Sequence, residues 1–566
     1  MSRPKPVNPI KADRREKACS LQARGEPFLW GFGGALALGI LMIFGFLVLI
    51  VWNGIGAFYP KAVYVVTLKD GSRFAGELSR TDTMPTESEG SEVRPHGTKV
   101  PLGRTLYRTG NFDLYNDDFR WVQDDQVKDT VPQSDILFVE RMEWGPFIGT
   151  VRSVDTAGWK VEGRDVSMDS LYSALEDAAR RRREIRRIER TDIGAVNYYL
   201  EEARLSLKKA AIEHGRKDPA YQKAEQAYEK RTKDLNDQYA ALAKRAEELK
   251  AQDAKYSITL ADVNGREKEL KLSDVVRLYP PNALTIAGKI GIYLSRWKEF
   301  FIDEPREANT EGGVMPAIFG TCVMTVFMAL AVAPFGVIAA LYLREYAKQG
   351  TLVSAVRICV NNLAGVPSIV YGVFGLGFFA YTIGAGIDRL FFLERLPNPT
   401  YGTGGLLWSS LTLALLTVPV VIVATEEALA AVPQSMREGS LACGASKWQT
   451  VKYIVLPRAM PGILTGLILA MARGAGEVAP LMLVGVVKLA PELPIDQFFP
   501  YIHLERSFMH LGFHIYDVGF QSRNSEAAKP MVFVTTLVLI GIVAIMNAAA
   551  VFIRNRLKRK FAEGRF

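Results

Sequence analysis

The chain has 566 residues, of which 23% are charged and 49% apolar, and a net charge of +9. Apolar runs of about twenty residues recur near both ends while the middle is strongly charged, which excludes both a purely soluble enzyme and a bundle wholly embedded in a membrane. The 29 Phe, 21 Tyr and 8 Trp exclude a disordered chain.

A basic tail, residues 1–27, leads into the first apolar run at 28–52. That run is too long for a signal-peptide core and no small-residue cleavage site follows, so it reads as an uncleaved transmembrane helix. Further runs at 314–343, 358–383, 406–424, 463–487 and 531–553 bring the count to six, each long enough to cross a hydrocarbon layer of ~30 Å. The fold class expected is therefore an α-helical integral membrane protein. Lys and Arg crowd both tails, 1–27 and 554–566, which predicts that both termini are cytoplasmic. The loops at 344–357 and 425–461 are then cytoplasmic too. Residues 53–283 lie outside, in the periplasm if the source is a bacterium.

This external insert has two textures. Residues 61–165 alternate in short strands with hairpin turns, such as Asp70-Gly71 and a turn at Gly158. Residues 168–255 are helical and highly charged, broken at His214-Gly215 and Asp218-Pro219, which predicts a long helical hairpin. Strand texture returns at 256–280. Val66-Thr67-Leu68 before Asp70-Gly71 is echoed by Ile258-Thr259-Leu260 before Asn264-Gly265, so small β units interrupted by a helical arm are expected, with chance similarity as the competing account. The four cysteines lie outside the insert's interior, so no disulfide holds it. The basic run 180–190 reads as the solvated face of a helix, with Glu184 and Glu189 interleaved, and not as a nucleic-acid site. An amphipathic lead-in at 284–313 precedes the core of five further spans, 314–553.

The loop at 425–461 carries the strongest local signal. Ser435 is followed three residues later by Glu438, and Ser446 by Gln449, the pattern of two capping boxes. Gly444 between them suits a left-handed helix end, and Pro457 is expected to limit the second helix. A helix, glycine turn and helix lying on the cytoplasmic face form a compact mechanical part.

Within it, Glu438-Gly439-Ser440, then Gly444, then Ile454-x-Leu456-Pro457 resembles the EAA loop of ABC-importer permeases, with Gly439 and Ser440 in place of two alanines. Gly312-Gly313-Val314-x-Pro316, Asn362 to Gly372, and Arg473-x-x-Gly476-Glu477-x-Ala479-Pro480-Leu481 resemble PstA-type phosphate permeases, with Val478 in place of threonine. The resemblance covers the chain from about residue 300 and leaves most of the insert unassigned. It implies a type I importer (MetI-like) fold, inorganic phosphate as cargo, and the 438–457 loop as the part that docks on an ATPase. It also implies a PstC-like permease, a PstB-like ATPase dimer and a PstS-like periplasmic binding protein as partners.

Arg473 and Glu477 share a helix face at i, i+4 spacing within an apolar segment, where a charge needs a partner or a polar cavity. Two readings stand: a pair that merely holds the helix, or a guanidinium that meets phosphate oxygens while Glu477 competes for it. Pro367 breaks the third span and can open backbone amides toward an anion, or mark a packing kink. Asn362 and Ser368 fit polar helix contacts or the same path. His503, His510 and His514 lack a third-ligand pattern and read as surface or interface residues, with no metal expected. No Gly-x-x-x-x-Gly-Lys-Ser/Thr loop is present, so this chain binds no ATP; ATP and magnesium belong to a partner and the chain is not an enzyme. Two competing functions remain: an envelope scaffold built on the helical arm, and a permease for another oxyanion such as sulfate or molybdate.

Overall fold

The computed structural model describes residues 26–84, 102–156, 159–163 and 167–563. The basic N-terminal tail and the turn at Gly158 lie outside the described residues. Among the described residues, six helices are long and apolar enough to span a membrane: Trp30–Gly56, Met315–Tyr346, Ser368–Phe391, Leu406–Ala430, Lys447–Gly476 and Ser525–Arg556. The fourth is the hub. Most of it is buried, against the second span on one side and the fifth on another, whereas the first is almost wholly exposed and the sixth is buried only near its start, at positions that include Met531, Val534, Thr535 and Val538. Small residues permit these close approaches. A methyl group on Gly462 would sit 2.5 Å from Ala428 Cβ, so the fourth and fifth spans touch nearly backbone to backbone.

Several span boundaries differ from the sequence expectation, among them the start of the fifth at Lys447 and not near 463, and two of the differences fall at breaks in a helix. The third span starts at Ser368, not near 358, because Thr351–Leu363 forms a separate short helix. Pro367 adopts extended backbone at that break, as a helix-capping proline without an N–H can. The fifth helix ends at Gly476, not near 487, and Ala479–Val484 is a separate turn of helix.

The insert is two antiparallel sheets and a helical arm. In the first sheet, β1 (Val63–Leu68) lies between β2 (Arg73–Met84) and β5 (Val127–Pro132), with β3 (Leu102–Arg108) and β4 (Phe119–Gln123) extending beyond β2. In the second, β7 (Phe147–Thr156) lies between β6 (Leu137–Arg141) and β9 (Ser257–Ala261), flanked by β11 (Val275–Tyr279) and β10 (Glu267–Lys271), with β8 (Trp159–Glu162) also on β7. The two hairpins of the sequence echo both form, β1–β2 around Gly71 (φ +88°) and β9–β10 around Gly265 (φ +81°). Period-two burial along β1 puts Val63 and Val65 in a core with Ile136, Phe138 and Ile148.

The arm enters between β8 and β9. Its outbound helices, Met168–Arg187 and Ile193–His214, are joined by a π-helical turn, and Pro219–Asp253 returns. Asp218 caps the return helix by accepting from Ala220 N at 2.7 Å, with Pro219 in its first turn. The basic run is solvated only in part. Arg180 is exposed, but Arg181 pairs with Asp253 at 3.3 Å, and Arg182 donates to the Ser273 carbonyl at 2.6 Å. These residues root the arm on the second sheet.

A buried ion network ties the sheets to the membrane part. Arg296 Nε donates to Glu140 at 2.8 Å and Arg296 Nη1 to the Phe58 carbonyl at 2.9 Å, while Arg277 bridges Glu140 and Glu299. Burial pushes the Glu140 carboxyl up, but Arg296 and Arg277 outweigh it and hold the group below its usual range.

Candidate functional site

Two places in the membrane part gather the residues that the sequence singled out. The first is the loop between the fourth and fifth spans. Helix Gln434–Ala442 runs to a turn in which Gly444 takes φ +84°, a conformation that costs other residues strain. Helix Lys447–Thr450 then starts on a complete capping box: Ser446 N donates to Gln449 Oε1 at 2.8 Å, and Gln449 N to Ser446 Oγ at 3.2 Å. The other capping box does not form. Pro433 caps the first helix, so Ser435 already lies inside it, with its backbone N–H away from the cap.

Pro457 does not end the second helix. A π-helical turn at Val451–Val455 precedes it, and the helix continues as Leu456–Gly476 into the fifth span. The widened turn absorbs the proline's missing donor and ring bulk. The loop is thus rigidly continuous with a span.

The loop's two helices are clipped together by Ser440 Oγ and Thr450 Oγ1 at 2.9 Å. Arg437 fastens them to the bundle, donating to Glu345 at 2.9 Å and to the carbonyls of Leu429 and Val432. Val455, Ala459 and Ile463 bury against Leu429 and Val432 beneath. Ile454, Leu456 and Pro457 are half-buried in this base, while Glu438, Gly439 and Gly444 are exposed. Leu441, Trp448 and Tyr453 are also exposed, which leaves an apolar and aromatic face on a polar protein edge.

The second place is where the breaks in the third and fifth spans meet. A methyl group on Gly372 would lie 2.7 Å from Pro480 Cα, so the start of the third span rests directly on the turn after the fifth. Glu477 terminates the fifth helix with extended backbone (ψ 135°), and its N–H donates to the Gly474 carbonyl at 3.2 Å. Arg473 lies in the last turn, where the negative end of the helix dipole favours a cation. Arg473 Nε and Glu477 Oε1 are 3.9 Å apart, a loose pair with both side chains partly exposed.

Tyr371 joins the two breaks. It is buried, its hydroxyl donates to the Leu363 carbonyl at 2.6 Å, and it lies within the electrostatic reach of Arg473. Sequence reasoning missed this residue because an aromatic in an apolar span reads as packing. Asn362 is exposed in the last turn of the short helix before the break, Pro367 is exposed at the break, and Ser368 is half-buried as the first residue of the span.

His503, His510 and His514 are not at the surface. His503 is held between Asp496 at 2.9 Å and Glu505 at 3.1 Å. His510 and His514 are almost completely buried outside the six spans, and burial brings both imidazoles down to about 4. Packing of helix Leu511–Phe520 against the sixth span draws them inside, a tertiary effect that spacing alone does not reveal. Among the described residues no group of three His, Cys, Asp or Glu side chains is arranged to hold a metal.

Residues 313–559 match the family described as "Binding-protein-dependent transport system inner membrane component". The probable ABC transporter permease protein YqgI of Bacillus subtilis is 30% identical over 254 residues, 44% of this chain and 80% of that protein. The phosphate transport system permease protein PstA 1 of Mycobacterium tuberculosis is 35% identical over 244 residues, 43% of this chain and 70% of that protein. The probable permease YqgH of B. subtilis is 34% identical over 194 residues, 34% of this chain and 59% of that protein. The chain thus spans under two thirds of YqgH, and all three matches leave over half of this chain uncovered. With six membrane-spanning helices and a β-rich insert, this chain belongs to the binding-protein-dependent transport system inner membrane component family, as a PstA-type ABC importer permease.

Proposed function

We propose that this chain carries inorganic phosphate across the inner membrane of a bacterium, driven by ATP hydrolysis on a separate subunit. The observation that supports this reading most is the loop of residues 425–461. Its exposed face of Glu438, Gly439, Gly444, Leu441 and Trp448 stands on a base continuous with the fifth span and pinned to the second. Such a loop transmits displacement because it has little freedom to absorb it. The partner ATPase, a PstB-like dimer holding ATP and magnesium, grips this face; this chain binds neither. A PstC-like permease completes the path and a PstS-like protein delivers the cargo.

Both basic tails and the loop face the cytoplasm and the insert faces the periplasm, by the excess of Lys and Arg at those span ends. Phosphate passes beside Arg473, whose guanidinium offers planar donors to its oxygens. Glu477, loosely paired at 3.9 Å, reclaims Arg473 as the ion leaves, which keeps the site weak enough to release. Pro367 and Ser368 present the opened end of the third span to the same place, and Asn362 flanks it. The test is uptake of labelled phosphate into membrane vesicles, competed by sulfate or molybdate. Loss of labelled uptake to either oxyanion at equal concentration reassigns the cargo.

A further inference from the structure

The helical arm does not stand free above the membrane. Tyr198 lies flat on Phe498, with 4.2 Å between ring centroids and 18° between planes, and its hydroxyl donates to the Phe499 carbonyl at 3.2 Å. Further along the same helix, Lys208 Nζ donates to the Leu396 carbonyl. At 1.5 Å per residue these two contacts are about 15 Å apart. Leu396 belongs to the segment after the third span, and Phe498 to the segment between the fifth and sixth. The two segments meet as one rim: Leu406 N donates to the Arg506 carbonyl at 3.0 Å, and Leu407 N to the Leu504 carbonyl at 2.8 Å. The arm therefore lies across the insert-side ends of the spans that form the candidate path.

Its two attachments are unequal. At the root, Leu171 and Ala178 are buried in one core with Val154, Ile258 and Leu260, and Arg181 pairs with Asp253 in a largely buried position. That sheet is tied in turn to Phe58, beyond the first span, and to Glu299, ahead of the second. The return helix Pro219–Asp253 has no break, so the arm is a stiff lever of about 50 Å. At the rim, the contact is the Tyr198 and Tyr199 rings on Phe498 and two hydrogen bonds to carbonyls, over a cleft of 680 Å³ whose lining includes Glu202, Lys209, Arg395 and Arg506.

From this geometry we propose that the arm is a strap latched across the periplasmic mouth, and that opening on that side lifts Tyr198 off Phe498 and Lys208 off Leu396. The strap rests on the importer reading, since alternating access is what requires the mouth to open. The root sits in the core of the second sheet and the seat on the rim, so a displacement of the rim beneath the arm breaks the open-clefted seat first, the weaker of the two contacts. Latched, the arm favours the closed mouth.

The test bridges the latch with Tyr198→Cys and Phe498→Cys, joined by a short thiol cross-linker, in the chain assembled with its partners in membrane vesicles. Phosphate uptake falls at least tenfold when bridged and returns when a reductant cuts a cleavable linker. Full uptake while bridged overturns the strap and leaves the importer reading intact. A second measurement needs no transport. Spin labels at Asn197 and Phe499, both exposed, are read with and without ATP, with Cys19, Cys322, Cys359 and Cys443 replaced by serine. The strap gives a second, longer distance with ATP; one unchanged distance overturns it. Absence of phosphate uptake in the unsubstituted protein overturns the importer reading, while the label distances still judge the strap.

Discussion

Arg437 and Glu345 lie 92 residues apart in sequence and meet at 2.9 Å, the guanidinium of one closing the end of the second span onto the loop that precedes the fifth. The same guanidinium reaches the carbonyls of Leu429 and Val432 at 2.7 and 2.5 Å. One side chain thus gathers three elements that must move together if the loop is pushed. Both partners are largely buried, so removing one strands the other and costs about 3–5 kcal/mol. Arg437→Ala is expected to cut phosphate uptake at least tenfold while the assembled complex still hydrolyses ATP. Arg437→Lys recovers little, because an ammonium lacks the planar fork that serves three acceptors. Parallel uptake and ATPase assays decide this, and unchanged coupling in Arg437→Ala would remove the pair from the force path.

Arg473→Gln is expected to abolish uptake while the complex still assembles, because a neutral amide cannot hold a multiply charged anion. Tyr371→Phe loses the hydroxyl bond to the Leu363 carbonyl and loosens the break of the third span. A drop in uptake of a few-fold is expected, with stability lowered by about 1 kcal/mol for the lost bond. Uptake that survives Arg473→Gln places the path elsewhere.

His510 and His514 make stability pH-dependent. Their imidazoles sit near 4 in the folded chain because burial penalises the charged ring, against 6.5 when exposed. The unfolded chain takes up protons near pH 6.5 that the folded chain refuses until about pH 4. Stability is therefore full above pH 6.5 and declines as pH falls toward 4, by on the order of 3 kcal/mol per histidine. Asp517 and Lys488 face His514 with opposite effects on its charge, Asp517 favouring the proton and Lys488 opposing it. The thermal midpoint of the purified protein is expected to drop between pH 7 and 5, and His514→Leu to make the decline shallower. An equal slope in the variant excludes His514 as the source.

Two glycines of the third span should respond oppositely to alanine. Gly372→Ala drives a methyl group into Pro480 Cα at 2.7 Å and its carbonyl at 2.9 Å, backbone atoms that cannot turn aside, at a cost of about 1–3 kcal/mol. Gly377→Ala meets nothing within 4 Å and is expected to be neutral or slightly stabilising. Thermal unfolding of the two variants side by side checks the packing of the third span on the turn after the fifth.

What the sequence made legible was local. Six apolar runs give six spans, since a run of that length has few other uses. The Ser446–Gln449 capping box forms because both of its bonds lie within four residues. The Ser435–Glu438 pattern fails because Pro433 is the stronger helix start and leaves Ser435 two residues past the cap. The third and fifth span ends were misplaced because hydropathy continues across both breaks, where backbone geometry at Pro367 and Glu477 does not. Contacts such as Tyr198 on Phe498, 300 residues apart, and the burial of His510 and His514, are set by tertiary packing and leave no periodic trace in the chain.

The account rests on a passive permease moved through its loop by a nucleotide-consuming neighbour. The most direct measurement is labelled phosphate accumulation in vesicles holding the purified complex, with ATP on the loop side, comparing the unsubstituted chain with Glu438→Lys. Accumulation is expected to require ATP, and to vanish in Glu438→Lys although the ATPase still turns over. Accumulation by the chain alone without ATP, or undiminished accumulation in the variant, contradicts it.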